Sequence, residues 1–232
     1  MPNPLSLRFL SCMLPKVHLV CLLLMVGWVM GAHSVIASQQ GEPNIHFRWG
    51  FVAKEGDTKY TPIHGDTTLA AGHHVKMWVA LQQGRQVFVY VVYQRASGEM
   101  YLLFPYSAES REALPAATYS IPQGPQWFSI EPTAGSDTIY LLASTARLAH
   151  LEALFSRYNA ASAEKQTALA QQIRTDIRTT IKSSLTLPKP AERPISMAGS
   201  AFRQGEPDLL EKFGLDITAT DFYWKTFTID YR

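Results

Sequence analysis

Residues 44–52 alternate Ile45, Phe47, Trp49 and Phe51 with His46, Arg48 and Gly50, the period of two shown by a strand with one buried face. Residues 73–82 repeat the pattern, with Val75, Met77, Val79 and Leu81 on one side. Gln83-Gly84-Arg85 reads as a tight reversal into 86–94, and Ala96-Ser97-Gly98 as another into 99–104. Residues 75–104 are therefore expected to form a three-strand meander joined by hairpin turns. Further strands are predicted over 118–121, 126–131 and 138–143, punctuated by Pro122, Gly124-Pro125, Pro132 and Gly135. The period then changes. Leu148, Leu151, Leu154 and Phe155 fall at helical spacing in 146–158, and Leu169, Ile173, Ile177, Ile181 and Leu185 recur every four residues in 162–185. Residues 186–207 hold Pro188, Pro190, Pro194 and Pro207 and read as an exposed connection. A short helical stretch, PDLLEKF, precedes a closing strand over 221–232 that is rich in aromatics and threonine. The expected fold is mainly β with helices, an α+β class. It is an antiparallel sandwich of about seven to nine short strands, with two helices packed against it and the C-terminal strand sealing an edge. No internal repeat and no second domain are evident.

Ahead of this pattern lies a segment of a different kind. Residues 17–30, VHLVCLLLMVGWVM, form an apolar run of signal-peptide length that follows Lys16 and precedes the less hydrophobic GAHSVIA. Residues 1–37 are expected to be a Sec-type signal peptide cleaved after Ala37, with Met13 as a more compact start, which leaves 38–232 as one domain in the periplasm or outside the cell. An uncleaved single-pass anchor over 17–37 is the alternative, and membrane contact is expected only in that case. A lipoprotein is disfavoured, because Cys21 follows Val20 where a small residue is needed.

Charge and cysteine usage narrow the function classes. The chain carries 21 basic and 19 acidic residues; without Arg8 and Lys16 the remainder has 19 of each. A formally neutral domain gives no electrostatic reason to expect nucleic acid as a partner. Both cysteines, Cys12 and Cys21, lie in the leader, so thiol chemistry is not expected of the exported form.

Four stretches occur in order: GDTTLAAGHHVKMWVAL, VFVYVVYQRASGEMYLLFP, YSIP and WFSIEPTAGSDTIYLLAS. Through them residues 65–158 resemble a bacterial family called domain of unknown function 4384 (DUF4384). The resemblance implies a β-sandwich module of exported or modular proteins with an accessory or recognition role, and it transfers no functional residue. Read physically, Gly98 permits positive φ in a hairpin turn, Pro105 ends a ladder because it has no N–H to donate, and Gly135 suits a turn.

The candidate chemistry is sparse. His64, Asp66, His73 and His74 include metal-ligand types, but adjacent His73 and His74 on a strand point to opposite faces, so no metal or cofactor is expected. Ser144 stands between a strand and a helix without the flanking glycines of a nucleophile elbow, and it is read as the helix N-cap, shared with Thr145. Glu109, Glu112 and Glu131 follow no spacing rule for paired carboxylates. Aromatics stand out more. Trp78 lies opposite Met77 and Val79, and Tyr90 lies opposite Val89 and Val91. With Tyr93 they form a candidate exposed patch for a partner or glycan; the competing reading has the helices covering this face. The function expected is an exported accessory module that binds an unidentified protein of the cell envelope. Glycan or peptidoglycan binding is the alternative, and hydrolytic activity a third and weaker one.

Overall fold

The computed structural model describes residues 44–84, 86–106, 114–130, 135–195 and 207–231. Residues 1–37, expected to be a signal peptide, and Glu109, Glu112 and Glu131 lie outside the described residues. Two sheets pack face to face. The first contains β1 (Ile45–Glu55), β2 (Lys59–Pro62), β4 (His73–Leu81), β7 (Thr118–Ile121), β8 (Phe128–Ser129), β10 (Ala191–Pro194) and β11 (Leu215–Ala219). Its spine runs β10-β11-β1-β4-β7, with β2 added to β1 and β8 to β4. The second runs β3 (Thr67–Leu69), β12 (Phe222–Tyr231), β9 (Ser136–Ser144), β5 (Phe88–Gln94), β6 (Met100–Phe104). The described pairings are antiparallel except β3 on β12. The α+β sandwich class is as expected. The strand number is higher: the short β2, β3, β10 and β11 are not among the expected strands, and the first three lie where the sequence shows turns and a proline-rich connection.

Alternation explains the inner core. Phe47, Trp49 and Phe51 of β1 and Val75, Met77 and Val79 of β4 face Val89 and Val91 of β5, Ile139 and Leu141 of β9, and Phe227 and Ile229 of β12. Trp49 and Phe51 each meet Phe227 edge to face, with ring centroids 5.3 Å apart. One polar chain crosses this core: the Trp49 indole N–H donates to the Tyr223 hydroxyl at 3.1 Å, and that hydroxyl donates to Glu192 at 3.0 Å.

The outer faces are covered as well. Helices α1 (Ala149–Asn159) and α2 (Ala163–Ser184) lie on the second sheet, where Leu151, Leu154, Phe155, Ile173 and Ile177 enclose Tyr90, Val92 and Leu142. The four-residue stripe of α2 does this work as far as Ile181, whereas Leu185, one step beyond the helix, is 67% exposed. On the first sheet, α3 (Pro207–Phe213) places Leu210 against Val52 and Trp78.

Two expectations are corrected. The meander over 75–104 is a hairpin only between β5 and β6; β4 belongs to the other sheet, pairing with β1, β7 and β8. The reversal at Gln83-Gly84 is thus an arch from sheet to sheet, and Val87 at its end is buried in the core. The closing strand does pair back into the sheet as expected: β12 sits between β3 and β9 and pairs with β9 over nine residue positions. Ser144 is not the helix N-cap. It ends β9 and accepts the Ala146 N–H at 3.2 Å, while the first helical residue is Ala149. The N–H of Leu148, the capping position, instead donates to the Tyr90 hydroxyl at 3.0 Å.

Candidate functional site

At one end of the sandwich the inner face stops being uniformly apolar. Along β9 the core-facing positions read Asp137, Ile139, Leu141, Ala143, and along β12 the same parity reads Tyr231, Ile229, Phe227, Lys225, Tyr223, with Lys225 bound to Glu192. A cleft of about 360 Å³ opens there, with Val75, Leu103, Ile130, Ile139 and Ile229 as apolar walls. Tyr93, Arg95, Tyr101, Phe128, Asp137 and Tyr231 supply its aromatic and charged lining.

Asp137 forms the floor and is 3% exposed. Its Oδ2 accepts from the hydroxyls of both Tyr93 and Tyr231, and its Oδ1 accepts the Ala96 N–H at 2.8 Å. Burial, reinforced by the hydrogen bond to the carboxylate, pushes both tyrosine hydroxyls well above their ordinary pKa, so their protons stay on the oxygens. At the mouth, Glu99 accepts from Arg95, Ser97 and Tyr101, each at 3.3 Å. Tyr101 stacks on Tyr93 with centroids 5.8 Å apart and planes 27° from parallel. Tyr101 and Phe128 are 41% and 37% exposed at the rim.

The hairpin between β5 and β6 holds the mouth in place. Gly98 has φ +94, the left-handed conformation that glycine alone adopts without strain, and its N–H donates to the Arg95 carbonyl at 2.8 Å. Gly135 sits against this turn with φ +113, and a Cβ there would lie 2.7 Å from the Ala96 Cβ. The turn glycines read from the sequence therefore shape the cleft. β6 ends at Phe104, immediately before Pro105.

These strands are those of the recognisable stretch. Residues 68–147 match the family model of DUF4384, a domain of unknown function. No curated protein and no solved structure matches the chain. The DUF4384 segment contributes most of the cleft, including Tyr93, Arg95, Tyr101, Phe128 and Asp137, and the C-terminal strand outside it adds Ile229 and Tyr231.

Of the aromatics singled out in the sequence, only Tyr93 reaches the cleft. Trp78 and Tyr90 do not form an exposed patch, being 2% and 1% exposed. Trp78 is enclosed by Leu210 and by Trp127, whose ring meets it edge to face at 5.8 Å. Tyr90 lies under the helices and donates to Glu152 at 2.6 Å, a carboxylate that Arg147 also binds. Both outer faces are covered by helices distant in sequence, so position opposite a core face did not mean exposure.

The histidines stay apart. His64 meets the Phe213 carbonyl at 3.1 Å, His73 the Ala70 carbonyl at 2.9 Å, and His74 the Ser129 hydroxyl at 3.2 Å. Among the described residues no group of three or more metal-ligating side chains converges, and no helix is long and apolar enough to cross a membrane.

Asp137, Arg95 and Glu99 were not evident as site residues in the sequence. A usable signal exists for Asp137, since it occupies a core-parity position in an otherwise apolar alternation.

Proposed function

We propose that this protein is an exported accessory module that binds another protein of the cell envelope through the cleft around Asp137, acting by recognition and not by turnover. The observation that carries the reading is the pair of partly exposed rings, Tyr101 and Phe128, flanking a cavity with apolar walls and a charged floor. Interface anchor pockets have this make-up: aromatic rims that exclude water around a desolvated centre. A side chain inserted from a partner fills such a cavity, whereas an extended glycan is better served by rings lying flat along an open surface. The leader of 1–37 supports export.

The test is a photo-crosslinking amino acid placed at Tyr101 in living cells, with the same group at Thr175 on α2 as a control. A discrete adduct to an envelope protein from position 101, weakened by Phe128→Ser and missing from position 175, is the expected result. Equal adducts from both positions, or none from position 101, would overturn the assignment of the cleft.

A further inference from the structure

Every tyrosine hydroxyl that lines the cleft is committed as a donor to a carboxylate. Tyr93 and Tyr231 donate to Asp137, and Tyr101 donates to Glu99. A hydroxyl whose proton is spent in this way offers only lone pairs to a visitor. The Asp137 carboxylate is buried and held by neutral donors alone, with no ion pair to it among the described residues. Arg95 is the cation in the lining, and Glu99 neutralises it at 3.3 Å. The cleft therefore combines one uncompensated negative charge, acceptor oxygens, and the faces of Tyr93, Tyr101 and Phe128.

From this we infer that the group entering the cleft is the basic side chain of a partner protein, an arginine guanidinium or lysine ammonium. The inference rests on the proposal that the cleft binds protein. A cation complements each part of the lining. Its N–H groups donate to oxygens that cannot donate back, its charge offsets that of Asp137 in a site where water is scarce, and its flat or methylene portion packs on aromatic faces. An acidic side chain would meet like charge and no free tyrosine donor. A purely apolar one would bury the carboxylate further without compensation. Arginine suits the site better than lysine, because a planar guanidinium both stacks on Tyr101 and bridges several acceptors.

The experiment is an amide NMR titration of the full chain with four neutral-backbone probes: N-acetyl-arginine amide, N-acetyl-lysine amide, N-acetyl-phenylalanine amide and N-acetyl-glutamate amide. An N-acetylglucosamine oligomer is titrated alongside. The arginine probe is expected to bind with Kd on the order of millimolar, to shift resonances of residues 93–103 and 135–139, and to weaken as salt is raised. Asp137→Asn should weaken it about tenfold, as loss of a charge-assisted contact predicts. Should that variant fold poorly, Tyr101→Leu, at a partly exposed position, should weaken it about threefold while leaving the fold intact. Stronger binding of the phenylalanine probe, the glutamate probe or the sugar at these resonances would overturn the basic-side-chain inference. So would a cleft that responds to no probe. A position-101 adduct in cells together with either result would leave protein recognition standing and remove only the assignment of the entering group.

Discussion

Tyr223→Phe removes one oxygen from the centre of the sandwich and changes the volume little. The tyrosine is fully buried, as is Trp49, whose indole N–H it accepts at 3.1 Å. Without the hydroxyl that N–H has no acceptor inside the core, which costs about 1–3 kcal/mol. Glu192 loses a donor too. That carboxylate keeps Lys225 at 2.9 Å, so only part of a charge-assisted bond is forfeited, about 1 kcal/mol. The expected destabilisation is therefore about 3 kcal/mol, read as a loss in urea unfolding free energy, or as a fall in Tm of roughly 6–12 °C for a domain of this size. A double-mutant cycle with Trp49→Phe isolates the link between the sheets, since Trp49 lies in β1 of the first sheet and Tyr223 in β12 of the second. The coupling should be about 1–2 kcal/mol. A Tyr223→Phe cost below about 0.5 kcal/mol, or a coupling near zero, would refute the view that this polar chain ties the sheets together.

Three further outcomes follow from the same geometry. Burial raises the hydroxyl pKa of Tyr90 and Tyr223 above the ordinary 10, so the native state holds protons that the unfolded chain releases. Their contribution to stability should be constant up to about pH 9 and, past pH 10, fall by about 1.4 kcal/mol per pH unit for each of the two, with Tyr93 and Tyr231 adding in the same direction, measured by urea unfolding at stepped pH; a flat profile between pH 10 and 11 would contradict it. Asp137→Asn removes the charge and the strong acceptor that help keep Tyr93 and Tyr231 protonated, so ultraviolet titration of the folded protein should show tyrosines ionising at lower pH than in the wild type; an unchanged titration would place the carboxylate elsewhere. A fragment of residues 65–158 should give no cooperative unfolding transition and should be cut readily by protease, whereas a sharp transition would show that the segment closes its own core.

Where one buried face and a simple period decide the structure, the sequence was legible. The alternation of β1, the hairpin of β5 and β6 around Gly98, and the helical stripes under α1 and α2 all read correctly from spacing. The failures share one cause, which is that partner choice is not a local property. A turn at Gln83-Gly84 reverses the chain equally well within a sheet or between sheets, and only the pairing of β4 with β1 distinguishes the two. Trp78 and Tyr90 oppose a core face, which leaves exposure and cover by helices as competing readings, and the cover comes from α3 about 130 residues beyond Trp78 and α1 about 60 beyond Tyr90. A smaller part of the candidate site was nonetheless within reach. Tyr93 was singled out as an aromatic, and Asp137 stands in core register with Ile139 and Leu141, but its partner Tyr231 comes from a strand 94 residues away.

That distance bears on what the family segment is. The DUF4384 match ends at residue 147, yet β9 inside it is flanked on one side by β12, and β4 by β1, both from outside the match. Each of these pairings runs over nine residue positions, so two strands of the segment would expose a full row of backbone N–H and C=O groups if it stood alone. The apolar cost runs the same way, since Val75, Met77 and Val79 lie beside Ala53, Phe51 and Trp49 of the added β1 in a shared core. The flanking strands are therefore part of the same domain as the matched segment, not appendages to it. Their contribution extends to the cleft. Tyr231 donates to the Asp137 carboxylate from outside the matched stretch, so the floor of the cleft is completed by a residue that the family segment does not contain.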